Sequence, residues 1–546
     1  MKFLKLVWEA AGVRRLKLAI ALMGSTFGMI GVLVVVSQVL DPEGHTSESN
    51  VPDLMGLFLF VIAAFSVIAG NAVGQRLSVA VVEDLLDRIR RDFADLVRRS
   101  DYGRFEAFGI TRVYDTLTRN SQTLTEAAIL SIHGVAGFGA LILGGLYPLI
   151  ISPLVFAVII GLIITSTFFY RLTQRRTHLA LTETSERQTG FFSLFRHLID
   201  GFKEVKLHNP RGASIEHEHL EPASGALRDS QVFAAVQINR GVSVSYFFFY
   251  LMLATIAFVL PPFVGDHGII VQSLYVAIFM LSVVEIILKA VPVITRASFA
   301  IDELKAVEQS LREVVSNERP PSADVQFERI EAQGLMYSYF DPDGARSFTM
   351  GPTGLDLNRG EILFIVGGNG SGKSTLMKVF TRLYEPESGG ILWDDTSVES
   401  NNVTDYRTLF SSVFSDFHLF DRLYGLPEIE EKVVNDMLGD LDIAHKTQYR
   451  DGAFTNTNLS TGQRKRLALA VALLENRPIL LLDELGADQD PEFRKRFYNE
   501  LIPGWKKEGR TLVIVSHEDQ YFHVADRTIV LSDGQTAIQR QNGATS

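Results

Sequence analysis

The sequence predicts two unlike parts: an α-helical membrane domain of six spans whose helices extend into the cytoplasm, fused to a soluble α/β domain. Three observations predict this. Apolar segments of membrane-crossing length dominate up to about residue 295. From Val325 onward, short apolar strands alternate with helical patterns. One of those strands, Ile362–Val366, runs directly into a glycine turn and then a helix. Averages over the 546 residues, 47% apolar and 21% charged, hide the division but exclude intrinsic disorder. Lys and Arg total 52 against 63 Asp and Glu, a net charge of −11, which is a poor basis for binding nucleic acid. The chain has no cysteine, which removes disulfides, thiol catalysis and cysteine-ligated metals.

Six segments reach the ~20 apolar residues that a span requires: Leu18–Leu40, Leu54–Gln75, Ala127–Leu146, Pro148–Tyr170, Gly241–Gly265 and Gly268–Ile294. Ala127 to Tyr170 contains no Asp, Glu, Lys or Arg and is too long for one span. A tight hairpin is expected at Gly144-Gly145-Leu146-Tyr147-Pro148. Lys2, Lys5, Arg14, Arg15 and Lys17 precede the first span, while the loop Asp41–Asp53 has four acids and no Lys or Arg. Nine arginines lie in Arg76–Glu126, and Arg171–Arg240 is again basic. The positive-inside rule therefore puts both termini and the two long loops in the cytoplasm. The first span is expected to stay as an anchor, since it is longer than a signal core and lacks a small-residue cleavage site. Apolar periodicity at Val81, Leu85, Leu86, Ile89 and Phe93 suggests that spans two to five continue as helices beyond the bilayer. Turns would lie at their tips, at Tyr102–Leu117 and His197–Pro210.

Ionisable groups within spans are candidates for function. Glu285 and Lys289 stand one helical turn apart on the sixth span and read either as a structural pair or as residues lining a substrate path. His133 on the third span is expected to bond between helices rather than carry a proton, although a substrate role stays open. The run Tyr246-Phe247-Phe248-Phe249-Tyr250 reads as lipid-facing and packing surface.

A Pro-Pro-Ser segment within residues 313–324 reads as a linker, so the expected domains are 1–312 and 325–546. Within the second, Gly367-Gly368-Asn369-Gly370-Ser371-Gly372-Lys373-Ser374 fits the phosphate-binding pattern G-x-x-x-x-G-K-[ST] between strand and helix. Its successive N–H groups would face phosphates at the positive end of the helix beginning near Thr375. Lys373 would reach the β- and γ-phosphates of ATP, and Ser374 would ligate Mg²⁺. Downstream, the all-apolar run Ile479-Leu480-Leu481-Leu482 reads as a buried parallel strand ending in Asp483 and Glu484. Asp483 would hold Mg²⁺, and Glu484 would polarise the attacking water.

The segment Leu459-Ser460-Thr461-Gly462-Gln463, followed closely by Asp483-Glu484, resembles the signature motif of ABC-type ATPases. His517 after the strand Thr511–Val515 resembles their switch histidine, Ala487-Asp488-Gln489-Asp490 stands at their D-loop position, and Tyr339 stands where the family stacks adenine. Six spans ahead of such a domain resemble an exporter-type half-transporter. The resemblance implies a homodimer, with a heterodimer left open, in which Ser460, Gly462 and Gln463 act on ATP held by the partner's P-loop. It also implies that His517 contacts the γ-phosphate and that sandwich closure draws the helical tips together. Two positions depart from the pattern: Ser415 occupies the place of the Q-loop glutamine, leaving either Ser415 through water or Asp416 to serve, and Thr461 replaces a glycine.

Phe410–Phe420, Asp200–Leu207 and Asp488-Gln489-Asp490-Pro491 further resemble the bacterial cyclic-peptide exporters, a group that handles pyoverdine precursors, syringomycin-type lipopeptides and microcin J25. The resemblance implies export of a peptide or other amphipathic substrate across a bacterial inner membrane, in contact with its lipids. A lipid or multidrug flippase is the alternative. An importer is disfavoured because importers usually divide these parts between chains, and a nucleotide-gated channel belongs to a separate class.

Overall fold

The structure, a computed structural model, describes residues 2–39, 53–316, 318–319, 321–322, 325–341 and 345–541. The acidic loop expected at Asp41–Asp53 lies outside these residues up to position 52, as do Pro320 and positions 323–324 of the linker. The chain divides into two compact units, Met1–Arg90 with Asp115–Lys305, and Arg91–Tyr114 with Ala306–Ser546.

In the membrane unit a short amphipathic helix α1 (Lys2–Ala10) precedes α2 (Arg15–Val39), and α3 (Leu54–Arg99) follows. The first tip is itself a helix, α4 (Tyr102–Phe108), and leads into α5 (Ile110–Ile151) and α6 (Pro153–Asp200). The second tip holds α7 (Phe202–Leu207) and α8 (Asn209–Ser214). Then come α9 (Glu221–Ala254), α10 (Pro261–Val264) and α11 (His267–Glu313). Among the described residues, six helical stretches are long and apolar enough to cross a membrane, making this a multi-pass membrane protein. At 1.5 Å per residue the 46 residues of α3 span about 69 Å, more than twice the hydrocarbon core.

The outer hairpin falls later than its glycines suggest. Helix α5 continues through Pro148 to Ile151, and the break comes at Ser152, whose extended backbone caps α6 with Pro153 in its first turn. Pro148 is tolerated because its carbonyl still receives the Ser152 amide at 2.8 Å, and only its own missing N–H is lost. Gly144 serves packing instead of turning: a Cβ there would lie 2.6 Å from Met280 Cε on α11. Helices α2 and α3 cross at similarly close range. A Cβ at Gly70 would meet the Ser25 amide nitrogen at 2.6 Å and the Ala21 carbonyl oxygen at 2.7 Å. Ser66 Oγ donates to the Gly24 carbonyl at 2.8 Å, and Ser25 Oγ donates to Asn71 Oδ1 at 2.9 Å, giving the small-residue contact typical of membrane helices.

The second unit opens with β1 (Arg329–Phe340) and β2 (Arg346–Asn358), then β3 (Ile362–Gly367), α12 (Lys373–Phe380), β4 (Ser388–Trp393) and β5 (Thr396–Ser397). After α13 (Val403–Arg407), β6 (Phe410–Val413) and α14 (Glu431–Asp440) comes a small hairpin, β7 (Tyr449–Arg450) with β8 (Ala453–Phe454). Helix α15 (Thr461–Leu474) leads to β9 (Ile479–Asp483), α16 (Pro491–Arg496), α17 (Ile502–Lys507), β10 (Thr511–Val515), β11 (Arg527–Ser532) and β12 (Gln535–Gln541). The main sheet runs β12-β11-β3-β10-β9-β6, parallel except for β12, and an antiparallel sheet runs β2-β1-β4-β5. Strands β9 and β10 are buried on both faces, which accounts for their unbroken apolar runs. Parallel pairing sets Val515 beside Asp483, so the carboxyl ends of β9 and β10 are level.

Gly70→Ala should lower the unfolding midpoint of the detergent-solubilised protein by several degrees, because overpacking against backbone typically costs about 1–3 kcal/mol. Gly161→Ala, with nothing within 4 Å of its Cβ, should leave the midpoint unchanged. Equal midpoints for the two variants would contradict this α2–α3 crossing.

Candidate functional site

Strand β3 delivers Gly367 to the carboxyl end of the main sheet, and the turn from there to α12 requires glycine. Gly367 has φ +156° with the Leu531 carbonyl oxygen 2.3 Å from where a Cβ would sit. Gly372 has φ +94° as the residue entering α12, and Phe348 and Met350 leave a Cβ only 3.2–3.3 Å there. Gly370, also at positive φ, lies between them with Asn369 and Ser371 in the same turn. Lys373 folds back over this turn, donating to the carbonyls of Gly367 at 3.1 Å and Gly368 at 2.9 Å. Burial pushes its ammonium below the usual lysine range, and Glu484 and Asp483 pull it back up.

Asp483 closes β9 with only 1% of its surface exposed. Its Oδ2 accepts from Ser374 Oγ at 3.0 Å and from the Ser415 amide at 3.4 Å, while Oδ1 has no partner among the described residues. A buried carboxylate oxygen left open beside a serine hydroxyl fits a hard cation, and the unpartnered buried Ser371 Oγ in the glycine turn fits a phosphate oxygen. Glu484, at φ +52°, turns its side chain away from the strand and places Oε1 2.9 Å from His517 Nε2, just past the end of β10. Six of the predicted residues therefore meet at one end of the sheet: Gly367, Lys373, Ser374, Asp483, Glu484 and His517.

The other predicted residues divide. Tyr339 on β1 joins the site through its hydroxyl, 3.3 Å from Thr375 Oγ1. Ser415 reaches Asp483 with its amide rather than its hydroxyl, and Asp416 is engaged by Lys378 at 3.3 Å. Ser460 precedes α15, and Gln463 turns its carbonyl back to accept the Ser460 amide at 3.2 Å, so Gln463 caps this helix. Gly462 packs against the loop after Glu484, where a Cβ would come within 2.5 Å of the Asp488 carbonyl oxygen. Asp490 caps α16 by accepting the Phe493 amide at 2.9 Å and pairs with Arg466, which together hold its carboxyl below the usual range.

A cluster with no sequence motif adjoins Tyr339. Tyr384 stacks on Tyr337 at 4.6 Å and on Tyr102 of α4 at 5.8 Å, and meets Tyr339 edge-on at 6.1 Å. Its hydroxyl donates to Glu106 Oε2 of α4 at 2.5 Å, and burial together with that carboxylate raises its pKa well above the usual tyrosine value. Lys378, on the far side of α12 from the glycine turn, lies over both the Tyr102 and Tyr384 rings and 4.0 Å from Glu106. The first tip, the P-loop helix, Asp416 and the Tyr339 ring thus share one set of contacts.

In the membrane unit, α5, α6, α9 and α11 enclose a cavity of about 440 Å³. Phe156, Tyr170, Tyr246, Phe248 and Phe249 line it, and among the described residues Glu285 is the one carboxylate in its wall. Three members of the aromatic run 246–250 therefore face the cavity, while Phe247 and Tyr250 stay exposed as expected of lipid-facing rings. Lys289 pairs with Glu285 at 2.7 Å from outside the lining. His133 stands apart, 2.5 Å from Gln75 of α3, and bonds between helices.

The sequence model of the ABC transporter family matches residues 351–487. The chain is 30% identical over 519 residues to the ATP-binding protein SyrD of Pseudomonas syringae pv. syringae, covering 92% of this chain and 90% of that one. It is 23% identical to the ATP-dependent lipid A-core flippase of Aliivibrio fischeri, over 99% of this chain and 94% of the flippase. Its fold superposes on a bacterial Atm1-family ABC exporter with ATP bound at a TM-score of 0.77, with 17% identity, over 97% of this chain and 95% of that one.

The Tyr384–Glu106 bond is open to a double-mutant cycle. Tyr384→Phe and Glu106→Gln, alone and combined, should show a coupling of about 1–2 kcal/mol in denaturant unfolding, as expected for a bond to a charged acceptor. Strictly additive effects would contradict the contact.

Proposed function

The chain belongs to the ABC transporter family, as an exporter half-transporter that binds ATP and couples its hydrolysis to transport, and on that premise we propose that its cargo is a peptide natural product of cyclic, lasso or siderophore type, moved outward across the bacterial inner membrane. The observation that carries this reading is the cavity. Aromatic walls and one carboxylate suit a bulky, mostly apolar ligand with few polar groups, and do not suit a small ion. Whole-length similarity to the SyrD protein, at higher identity than to the flippase, supports the same choice. A lipid or multidrug flippase is the second reading, favoured by a full-length alignment with the lipid A-core flippase and by the apolar lining. In both readings the domains are 1–312 and 325–546 joined by 313–324, with the ATPase domain cytoplasmic.

The geometry and the family resemblance together support the following residue roles. The amides of Asn369 to Ser374 and the ammonium of Lys373 would bind the phosphates of ATP, and Tyr339 would stack on adenine. Ser374 and Asp483 would hold Mg²⁺, which supplies positive charge to the β- and γ-phosphate oxygens when bound. Glu484 takes the proton of the attacking water at Oε2, since His517 Nε2 already occupies Oε1. One chain carries one glycine turn and one signature segment, so two chains complete two sites. Ser460 and Gly462 of each copy then act on the nucleotide held by the other.

Glu484→Gln should lower ATP turnover at least a hundredfold while ATP binding persists, and Lys373→Ala should lose both. Reconstituted wild-type protein should be stimulated by cyclic peptides. Stimulation by phospholipid or apolar drugs alone would replace the peptide reading with the flippase reading, and wild-type turnover by Glu484→Gln would remove that residue from its role.

A further inference from the structure

Glu484 holds an uncommon backbone. Its φ of +52° lies in the left-handed region, which a residue with a Cβ keeps only where its surroundings impose it. Three elements impose it here. The Glu484 amide donates to the Val515 carbonyl on β10 at 3.2 Å, and the carboxylate meets His517 at 2.9 Å. Its carbonyl accepts from Lys465 Nζ at 2.8 Å.

Lys465 stands in the first turns of α15 with its side chain only 6% exposed. A buried ammonium has three hydrogens to satisfy and a charge to offset. Asp488, in the loop that follows Glu484, provides the counter-charge at 2.6 Å. The same loop is laced to α15 at two further points. Gln489 Nε2 donates to the Gly462 carbonyl at 3.2 Å, and Arg466 Nε donates to Gln489 Oε1 at 2.8 Å. The signature segment and the backbone of Glu484 thus form one connected body, with Lys465 the side chain that touches Glu484 itself.

We propose that Lys465, held by Asp488, is a positioning residue that fixes the left-handed backbone of Glu484 through its carbonyl and so aims the carboxylate. The inference rests on Glu484 being the group that activates water. With amide and carbonyl both anchored, the direction in which the side chain leaves the backbone is fixed. Loss of the lysine leaves the carbonyl with only the longer bond from the Ala487 amide, at 3.4 Å, and the carboxylate swings from its place although nothing that holds ATP has been touched. Because Lys465 lies on the helix opened by Ser460 and Gly462, displacement of that segment by nucleotide on the partner copy reaches Glu484 through the same ammonium.

The test compares full-length Lys465→Met, Asp488→Asn and Glu484→Gln with wild type in reconstituted membranes, measuring kcat, the KM for ATP and the unfolding midpoint. Lys465→Met should lose at least tenfold in kcat with KM within twofold of wild type. Asp488→Asn, whose side chain is half exposed, should lose about threefold in kcat with an unchanged midpoint. Inactive Glu484→Gln beside wild-type kcat in Lys465→Met overturns the positioning role. If Lys465→Met fails to fold, a wild-type kcat in Asp488→Asn overturns it equally. An active Glu484→Gln overturns the underlying assignment of Glu484 instead.

Discussion

A carboxylate almost cut off from water sets the terms for the second unit. Asp483 ends a strand buried on both faces, where an ion without compensation would cost several kcal/mol. Part of that compensation comes from the Ser374 hydroxyl and the Ser415 amide on Oδ2. Among the described residues Oδ1 is left open, at the place where a cation would supply the rest. The parallel register that levels β9 with β10 also brings Glu484 and His517 to the same end of the sheet. Strand order, glycine turn and helix start serve this one arrangement.

Different physics governs the membrane unit. With no water to satisfy the backbone, the chain crosses as helices, and packing rather than hydrophobicity decides how they associate. Gly70 lets α2 and α3 approach where any side chain would collide with backbone, and Gly144 leaves room for the end of Met280. Elsewhere, aromatic side chains of α6 and α9 line the cavity that has Glu285 in its wall.

Legibility in the sequence followed locality. Gly367 to Ser374 are contiguous, and Asp483, Glu484 and His517 sit at the ends of apolar runs, so their places could be read directly. The six spans were equally plain, because length and hydropathy alone report them. The outer hairpin was misplaced at Gly144–Pro148 because glycine and proline signal turns in water, whereas within a span they also mark close packing and tolerated kinks. Tyr384 and Glu106 were beyond reach, as 278 residues separate them and no periodicity links them. Asp488 fell inside a recognised motif and Lys465 two residues beyond one, yet nothing in their spacing shows a charge pair beneath the Glu484 carbonyl.

The proposed function requires that two copies of this chain close on ATP, each supplying Ser460 and Gly462 to the other's P-loop. A chain without cysteine allows this to be measured with little ambiguity. In a Glu484→Gln background, Asn369→Cys and Ser460→Cys together should form a disulfide between copies when ATP is added under mild oxidation. The product should run at twice the 60.7 kDa of one chain, and omitting ATP should abolish it. A species that stays at 60.7 kDa while ATP is demonstrably bound would contradict the account.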